Sequence, residues 1–256
     1  MTLKKFLDKF FFYISVPKCV SCGEILDSCD LPLCQSCYEE YCKVKTRNCS
    51  ICAKTLNRCT CSNEYLESHY VRKLVKVYRY INDASLPSNK LIYSLKRENR
   101  KDVFDFLATE LTDALLWQIK DFDNVIITNV PRRKAAIKKY GYDHAAQVAK
   151  TIAKQTGAKY IPLLVSKTEK VQKRLLKAER IKNANFAYKR KIPDLKNKNV
   201  IIVDDIVTTG ASMGVCAALI RALKPKSIMG ASVSVAYKDK YKKIDTSDRF
   251  GVIKTK

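Results

Sequence analysis

The chain has 256 residues, 46% of them hydrophobic, enough to bury a core in one ordinary domain beside a small one. Its 49 Lys and Arg outweigh 25 Asp and Glu, giving a formal net charge of +24. That field favours polyanions (nucleic acid, anionic lipid, phosphorylated small molecules), with a solvated lysine-rich surface as the plain alternative. No apolar run is long enough to cross a bilayer, which argues against an integral membrane protein.

The first segment, Met1 to Val16, imitates a signal peptide with Lys4, Lys5 and the run Phe10 to Ile14. Asp8 and Lys9 interrupt it, and no small-residue cleavage site follows. Leu3, Phe6, Leu7, Phe10 and Ile14 recur at helical spacing, so a short amphipathic helix packing on the body is expected. Peripheral membrane contact is the lesser reading.

Ten of the 11 cysteines precede residue 62, which marks a separate N-terminal module. Each Cys-x-x-Cys places two thiolates on one tight turn at the reach a tetrahedral zinc needs. Cys19, Cys22, Cys34 and Cys37 are assigned to one zinc, with Gly23 suiting the sharp turn. Cys49, Cys52, Cys59 and Cys61 are assigned to a second, although its last pair is the tighter Cys-x-Cys. Cys29 and Cys42 are surplus and could compete as ligands. A disulfide scaffold is the alternative, but it needs an oxidising compartment and fits an odd cysteine count poorly. Four protein ligands close each site, so the zinc is expected to be structural.

Beyond Ser62, strand and helix patterns alternate. Lys76 to Ile81 reads as a strand and Pro87 to Lys96 as a helix. Asp102 to Phe122 is the longest helical pattern, with Phe106, Leu107, Leu111, Leu115 and Ile119 on one face. Val125 to Val130 predicts a central strand, Asp143 to Thr156 a helix ended by Gly157, and Tyr160 to Val165 another strand. The β-branched run Val200 to Val203 predicts a strand covered on both faces. A helix to Leu223 and a last strand from Ser227 to Ala236 follow, then a Lys-rich tail after Lys238. Strands separated by helices imply an α/β fold with a mostly parallel sheet, its ligands at the C-terminal strand edge.

Asp204 and Asp205 fall where the Val200 to Val203 strand surfaces. Thr208, Thr209, Gly210, Ala211 and Ser212 can wrap an anion, because Gly210 frees the backbone and the next helix offers unpaired N–H groups. Carboxylates for hydroxyls beside an amide cradle for a phosphate suit a sugar phosphate. This segment resembles the phosphoribosyl pyrophosphate (PRPP) signature of type I phosphoribosyltransferases. The resemblance implies that Asp204 and Asp205 hold the ribose hydroxyls and that Thr208 to Ser212 hold the 5′-phosphate.

Three further segments join it: Val130-Pro131-Arg132-Arg133 with Lys138-Lys139-Tyr140-Gly141-Tyr142-Asp143-His144, then Gln172 to Leu175 with Arg180 and Asn183, and the cysteine module ahead of both. In this order they are similar to the ComF family of competence-associated, phosphoribosyltransferase-like proteins, over roughly Pro17 to Tyr237. The fold implied is a type I phosphoribosyltransferase-like domain (67–238) preceded by an N-terminal helix and small double zinc-ribbon module (1–66), with a basic tail (239–256). Val130, Pro131, Arg132 and Arg133 would form a pyrophosphate loop, the guanidinium fork meeting two phosphate oxygens. Lys138, Lys139, Gly141, His144, Gln172 and Arg180 are candidates for a hood over the site. Tyr140 stands where a cation often stands in the family, and Lys138 and Lys139 can replace that charge.

His144 is either a general acid or a helix-start residue bonded locally, whereas His69 is read as a surface residue and Cys216 as a buried small hydrophobe. The family implies binding of PRPP or another phosphorylated pentose with Mg, and single-stranded DNA handling in natural transformation. It also implies protein partners in the DNA-uptake machinery and a cytoplasmic location, peripheral at the inner membrane in the lesser reading. The alternatives are a working phosphoribosyltransferase and a PRPP-responsive adaptor.

Overall fold

The structure, a computed structural model, describes residues 16–28, 30–98, 100–167 and 185–236. The expected N-terminal helix, Cys29, the hood candidates Gln172, Arg180 and Asn183, and the basic tail lie outside the described residues.

The described chain begins with two cysteine turns and helix α1 (Gln35–Lys45), then a 3-10 turn (Leu56–Arg58) and a short helix α2 (Glu64–Ser68). Strand β1 (Leu74–Arg79), helices α3 (Pro87–Arg97) and α4 (Lys101–Leu116), and strand β2 (Val125–Asn129) follow. Next come α5 (Lys134–Tyr140), α6 (His144–Thr156), β3 (Lys159–Tyr160), β4 (Leu164–Ser166) and β5 (Phe186–Tyr188). The chain then forms β6 (Asn199–Val207), α7 (Ala211–Ala222) and β7 (Ser227–Val235).

Five strands make a wholly parallel sheet in the order β1-β7-β6-β2-β3, and β4 and β5 form a separate antiparallel ribbon. From β2 the chain moves outward to β3; from β6 it moves the other way to β7. The order therefore reverses between β2 and β6, the point where a parallel sheet opens a crevice at its carboxyl ends. Their ladder pairs Asn129 with Val203, and Val130 N–H continues it to the Val203 carbonyl at 2.9 Å.

Strand alternation sends side chains to two layers. Ile201 and Val203 join a core with α3, α4, α6 and α1, while Val200 and Ile202 join one with α7 and Leu66 of α2. The α1 helix is fastened to α4 by Tyr41, whose hydroxyl donates to Glu110 at 3.1 Å, and by a Lys45–Glu110 ion pair at 2.8 Å.

Two expectations need correction. Tyr160 to Val165 is not one strand. Pro162 has no N–H to continue the ladder, and Leu163 donates instead to the Thr128 hydroxyl at 3.2 Å, so the chain leaves the sheet for the β4–β5 ribbon. The long helix also stops at Leu116 rather than Phe122, because Gln118 and Ile119 both donate to the Leu115 carbonyl and tighten the last turn. No helix among the described residues is long and apolar enough to cross a membrane.

Candidate functional site

Two thiolate centres and one crevice carry the chemistry. The Sγ atoms of Cys19, Cys22, Cys34 and Cys37 lie within 4.8 Å of one another, as do those of Cys49, Cys52, Cys59 and Cys61. These are the two sets the spacing predicts, and four convergent soft ligands fit a tetrahedral zinc. Cys42 belongs to neither set. The centres are built on one knuckle used twice. Cys19 N–H donates to the Glu24 carbonyl at 2.8 Å and Gly23 N–H to Cys19 at 3.0 Å; Cys49 N–H donates to Lys54 at 2.8 Å and Ala53 N–H to Cys49 at 2.9 Å. Gly23 and Ala53 occupy equivalent left-handed positions, φ 82° and 58°, which only glycine adopts freely. Burial raises the thiols of Cys19 and Cys49, but backbone N–H donors (from Cys22, Cys34 and Ser21 to Cys19, from Cys52 and Ile51 to Cys49) outweigh it and bring each to about 7.

The halves that complete the centres differ. Cys34 caps α1 and Cys37 lies in its first turn, whereas Cys59 and Cys61 follow the 3-10 turn in extended chain. Lys76 lies behind the second centre, on β1. It is only 1% exposed and donates to the carbonyls of Cys61 at 2.7 Å and Leu74 at 3.3 Å. No local pattern announces a buried lysine here, since a lysine in an alternating strand reads as its wet face.

A crevice of about 290 Å³ opens at the switch point. One wall carries Asp204, Asp205 and Ile206 of β6 with Ser212 of α7; the other carries Val130, Pro131 and Arg132 after β2, with Asp143, His144 and Ala145. Lys96 of α3 completes the lining and approaches Asp205 at 3.6 Å. The two acids thus lie inside β6 rather than beyond its end, because the ladder with β7 runs on to Val207. Asp205 N–H donates to the Asp204 carboxylate at 2.9 Å, and Ile206 N–H to Asp205 at 2.6 Å. Burial, then the charge of Asp205, pushes the Asp204 carboxyl well above the usual carboxylate range. A carboxyl so disfavoured as an anion suits a site where a ligand brings the missing donors.

Thr208 to Ala211 form the turn beside the crevice, with Gly210 at φ 84°. Thr208 is exposed and Thr209 half-buried. Arg133 caps α5 and does not line the crevice, and Lys138, Lys139 and Gly141 are exposed outside it.

Asp143 is the residue that sequence reasoning undervalued. Its carboxylate accepts from Arg132 N–H at 2.9 Å, Asn129 Nδ2 at 3.2 Å and Ala146 N–H at 3.1 Å. It ties the end of β2, the 130–133 loop and the start of α6 together, and its place just before a predicted helix was the available signal. Lys96 had no such signal, since it reaches the crevice only through the packing of α3.

His144 sits on the crevice floor, 1% exposed, against Phe104 and Tyr142. Arg132 Nη1 donates to His144 Nδ1, so the imidazole acts as an acceptor and holds the guanidinium in place. Burial, reinforced by the charge of Arg132, lowers its pKa to about 4. A neutral ring at neutral pH disfavours the general-acid reading and favours the positioning one. The unfolded chain takes up this proton near the ordinary value of 6.5, the folded one only near 4, so this histidine's contribution to stability falls as pH falls between them. The expected result is a melting temperature for the native protein that drops across that window more steeply than for His144→Asn, in which an amide oxygen replaces Nδ1. Parallel melting curves from pH 4 to 7.5 check it, and identical slopes would contradict it.

A wholly parallel sheet between helical layers, with a charged crevice at its switch point, defines an α/β protein of the type I phosphoribosyltransferase kind. The sequence matches the family described as phosphoribosyl transferase domain over residues 127–255, just over half of its length, and the chain belongs to that family. Membership supports PRPP binding. No curated protein matches the chain. Solved structures similar to it include a hypoxanthine phosphoribosyltransferase from Staphylococcus aureus, 12% identical, with 54% of this chain on 68% of that one and a TM-score of 0.36. Another is a purine phosphoribosyltransferase from Pyrococcus horikoshii, 19% identical, with 59% of this chain on 92% of that one and a TM-score of 0.32. The family match, not these distant likenesses, identifies the chain.

Proposed function

We propose that this is a ComF-type protein that binds PRPP, or another phosphorylated pentose, with magnesium and handles single-stranded DNA in the cytoplasm during natural transformation. The observation that carries the sugar-phosphate half is the placement of Asp204 and Asp205 opposite Arg132 across the switch-point crevice. In this reading the two acids accept the ribose hydroxyls, Thr208 to Ser212 hold the 5′-phosphate, and Val130 to Arg133 receive the pyrophosphate. Bound magnesium would offset the pyrophosphate charge. The thiolate centres would each hold a structural zinc and stabilise the 1–66 module ahead of the 67–238 domain.

The DNA half draws on the net charge of +24 and on exposed aromatic rings paired with cations. Arg58 lies 4.0 Å from the ring of Trp117, Arg97 5.1 Å from Tyr93, and Arg221 5.8 Å from Tyr70. Such pairs suit base stacking beside phosphate contact.

Calorimetric titration with PRPP and magnesium, with and without a single-stranded oligonucleotide, tests both halves and any coupling between them. Binding of each is expected, with oligonucleotide affinity falling steeply as salt rises. A flat salt response, or no binding at low salt, would remove the DNA half alone. Membership of a transferase family favours a second reading, turnover of PRPP. Pyrophosphate release with candidate acceptors would establish it; none would leave a binder or adaptor.

A further inference from the structure

The chain that leaves the second thiolate centre at Cys61 reaches the 208–212 turn within a few residues. Asn63 serves both sides. Its Oδ1 accepts from Leu66 N–H at 2.9 Å, capping α2, and its Nδ2 donates to the Thr209 carbonyl at 3.3 Å. Leu66 is fully buried and pressed on the turn, since a Cβ at Gly210 would lie 2.6 Å from Leu66 Cγ. Tyr65 and His69 abut Gly214 one turn along α7, where a Cβ would lie 2.7 Å from Tyr65 Cε1. The same segment is fixed upstream: Leu74 N–H donates to the Thr60 carbonyl at 2.9 Å and Lys76 Nζ to the Cys61 carbonyl at 2.7 Å. Residues 59–66 therefore form a strap of set length between a metal-ligand set and the turn.

From this geometry we infer that the second thiolate centre, acting through Asn63, positions the 208–212 turn for phosphate. The inference rests on the reading that this turn holds a phosphate. The Thr209–Gly210 peptide is planar and trans, so fixing its carbonyl toward Asn63 directs the Gly210 N–H to the opposite side. A turn that offers N–H groups to an anion needs that orientation set before the anion arrives. Loss of metal from Cys59 and Cys61 would slacken the strap and free the carbonyl to rotate. Among the described residues the first centre shows no such link. Its helix α1 packs into the core on the other face of the sheet, with α3 and α4.

Ribose 5-phosphate probes this turn and the two acids without the 130–133 loop, and magnesium pyrophosphate serves as the control for that loop. Asn63→Ser keeps a short cap acceptor but cannot reach Thr209, and it adds no charge near the phosphate. Titration of the full-length, zinc-loaded protein is expected to show ribose 5-phosphate binding weakened about three- to tenfold in Asn63→Ser, the value of one hydrogen bond. Zinc content, melting temperature and pyrophosphate affinity should stay as in the native protein. Cys61→Ser should weaken ribose 5-phosphate at least as much, whereas Cys22→Ser should leave its affinity within about twofold, the spread expected of an uncoupled site. Equal ribose 5-phosphate binding in Asn63→Ser and the native protein overturns the inference and leaves the phosphate reading standing. So does a matching loss of pyrophosphate affinity, which would mark general damage. Failure of the native protein to bind ribose 5-phosphate removes the phosphate reading, and the inference with it.

Discussion

Replacing Asp204 and Asp205 together by asparagine is expected to abolish measurable PRPP binding and, at neutral pH, to raise the melting temperature. Each carboxylate is read as accepting a ribose hydroxyl, and a hydrogen bond to a charged group contributes about 1.5–3 kcal/mol. Losing two weakens binding at least about a hundredfold. The stability gain comes from Asp204. Its folded pKa is raised by burial and by the charge of Asp205, so as pH climbs past the ordinary value of 3.8 the unfolded chain loses this proton first. Stability then falls with rising pH, up to the folded pKa. The amide removes that loss, and the difference from the native protein should grow with pH through the window. Asp205 gives up its pairing with Lys96, but that contact is partly exposed and worth little. Calorimetry with PRPP and magnesium, together with melting curves from pH 4 to 8, measures both effects. A double variant that binds like the native protein would end the sugar-phosphate reading.

Zinc removal carries the second large effect, and it should be unequal. Structural zinc in zinc-finger peptides contributes about 10–16 kcal/mol, which doubles as folding energy. The first centre shares the main core, where Cys19 and Cys37 pack with Leu26, Leu33 and Tyr41. The second has a core of its own made of Cys49, Cys59 and Leu56, with Cys52 and Cys61 against it. Without metal, almost nothing apolar remains to hold it. Metal analysis is expected to find two zinc ions per chain, and a chelator should unfold the second module before the first. Trp117 reports on this directly. It is the sole tryptophan, Arg58 of the second module lies over it at 4.0 Å, and Gln118 beside it donates to the Arg58 carbonyl at 3.1 Å. Its fluorescence should change with the first zinc released. Absence of zinc from protein purified without chelators would refute the metal assignment.

Much of this arrangement was legible because local chemistry dictated it. The β-branched run before Asp204 could only be a buried strand, and each cysteine pair announced its knuckle by spacing. Gly157, in the left-handed conformation, ends α6 as the pattern predicts. What stayed hidden depends on contacts between residues far apart in the chain. Lys96 enters the crevice from a helix about a hundred residues before Asp205. Asn63 draws its role from Thr209, 146 residues further along the chain. Lys76 occupies a position that alternation assigns to water, yet carbonyls of its own strand and of Cys61 surround its ammonium. The short helices α2 and α5 carry too few residues for a periodic signal.

The pairing of Asn129 with Val203 makes the ladder between β2 and β6 a ruler for the crevice. Because side chains alternate faces, a slip of one residue would move Asp205 into the place of Asp204 and turn every side chain of the strand to the opposite face. The connection from β2 to β6 divides at α6: its first part, through Ala145, builds a wall of the crevice, whereas the described residues after it add nothing to the lining. Selection can therefore rewrite the later part more freely than the wall or the two strands, where an insertion or deletion would shift the register.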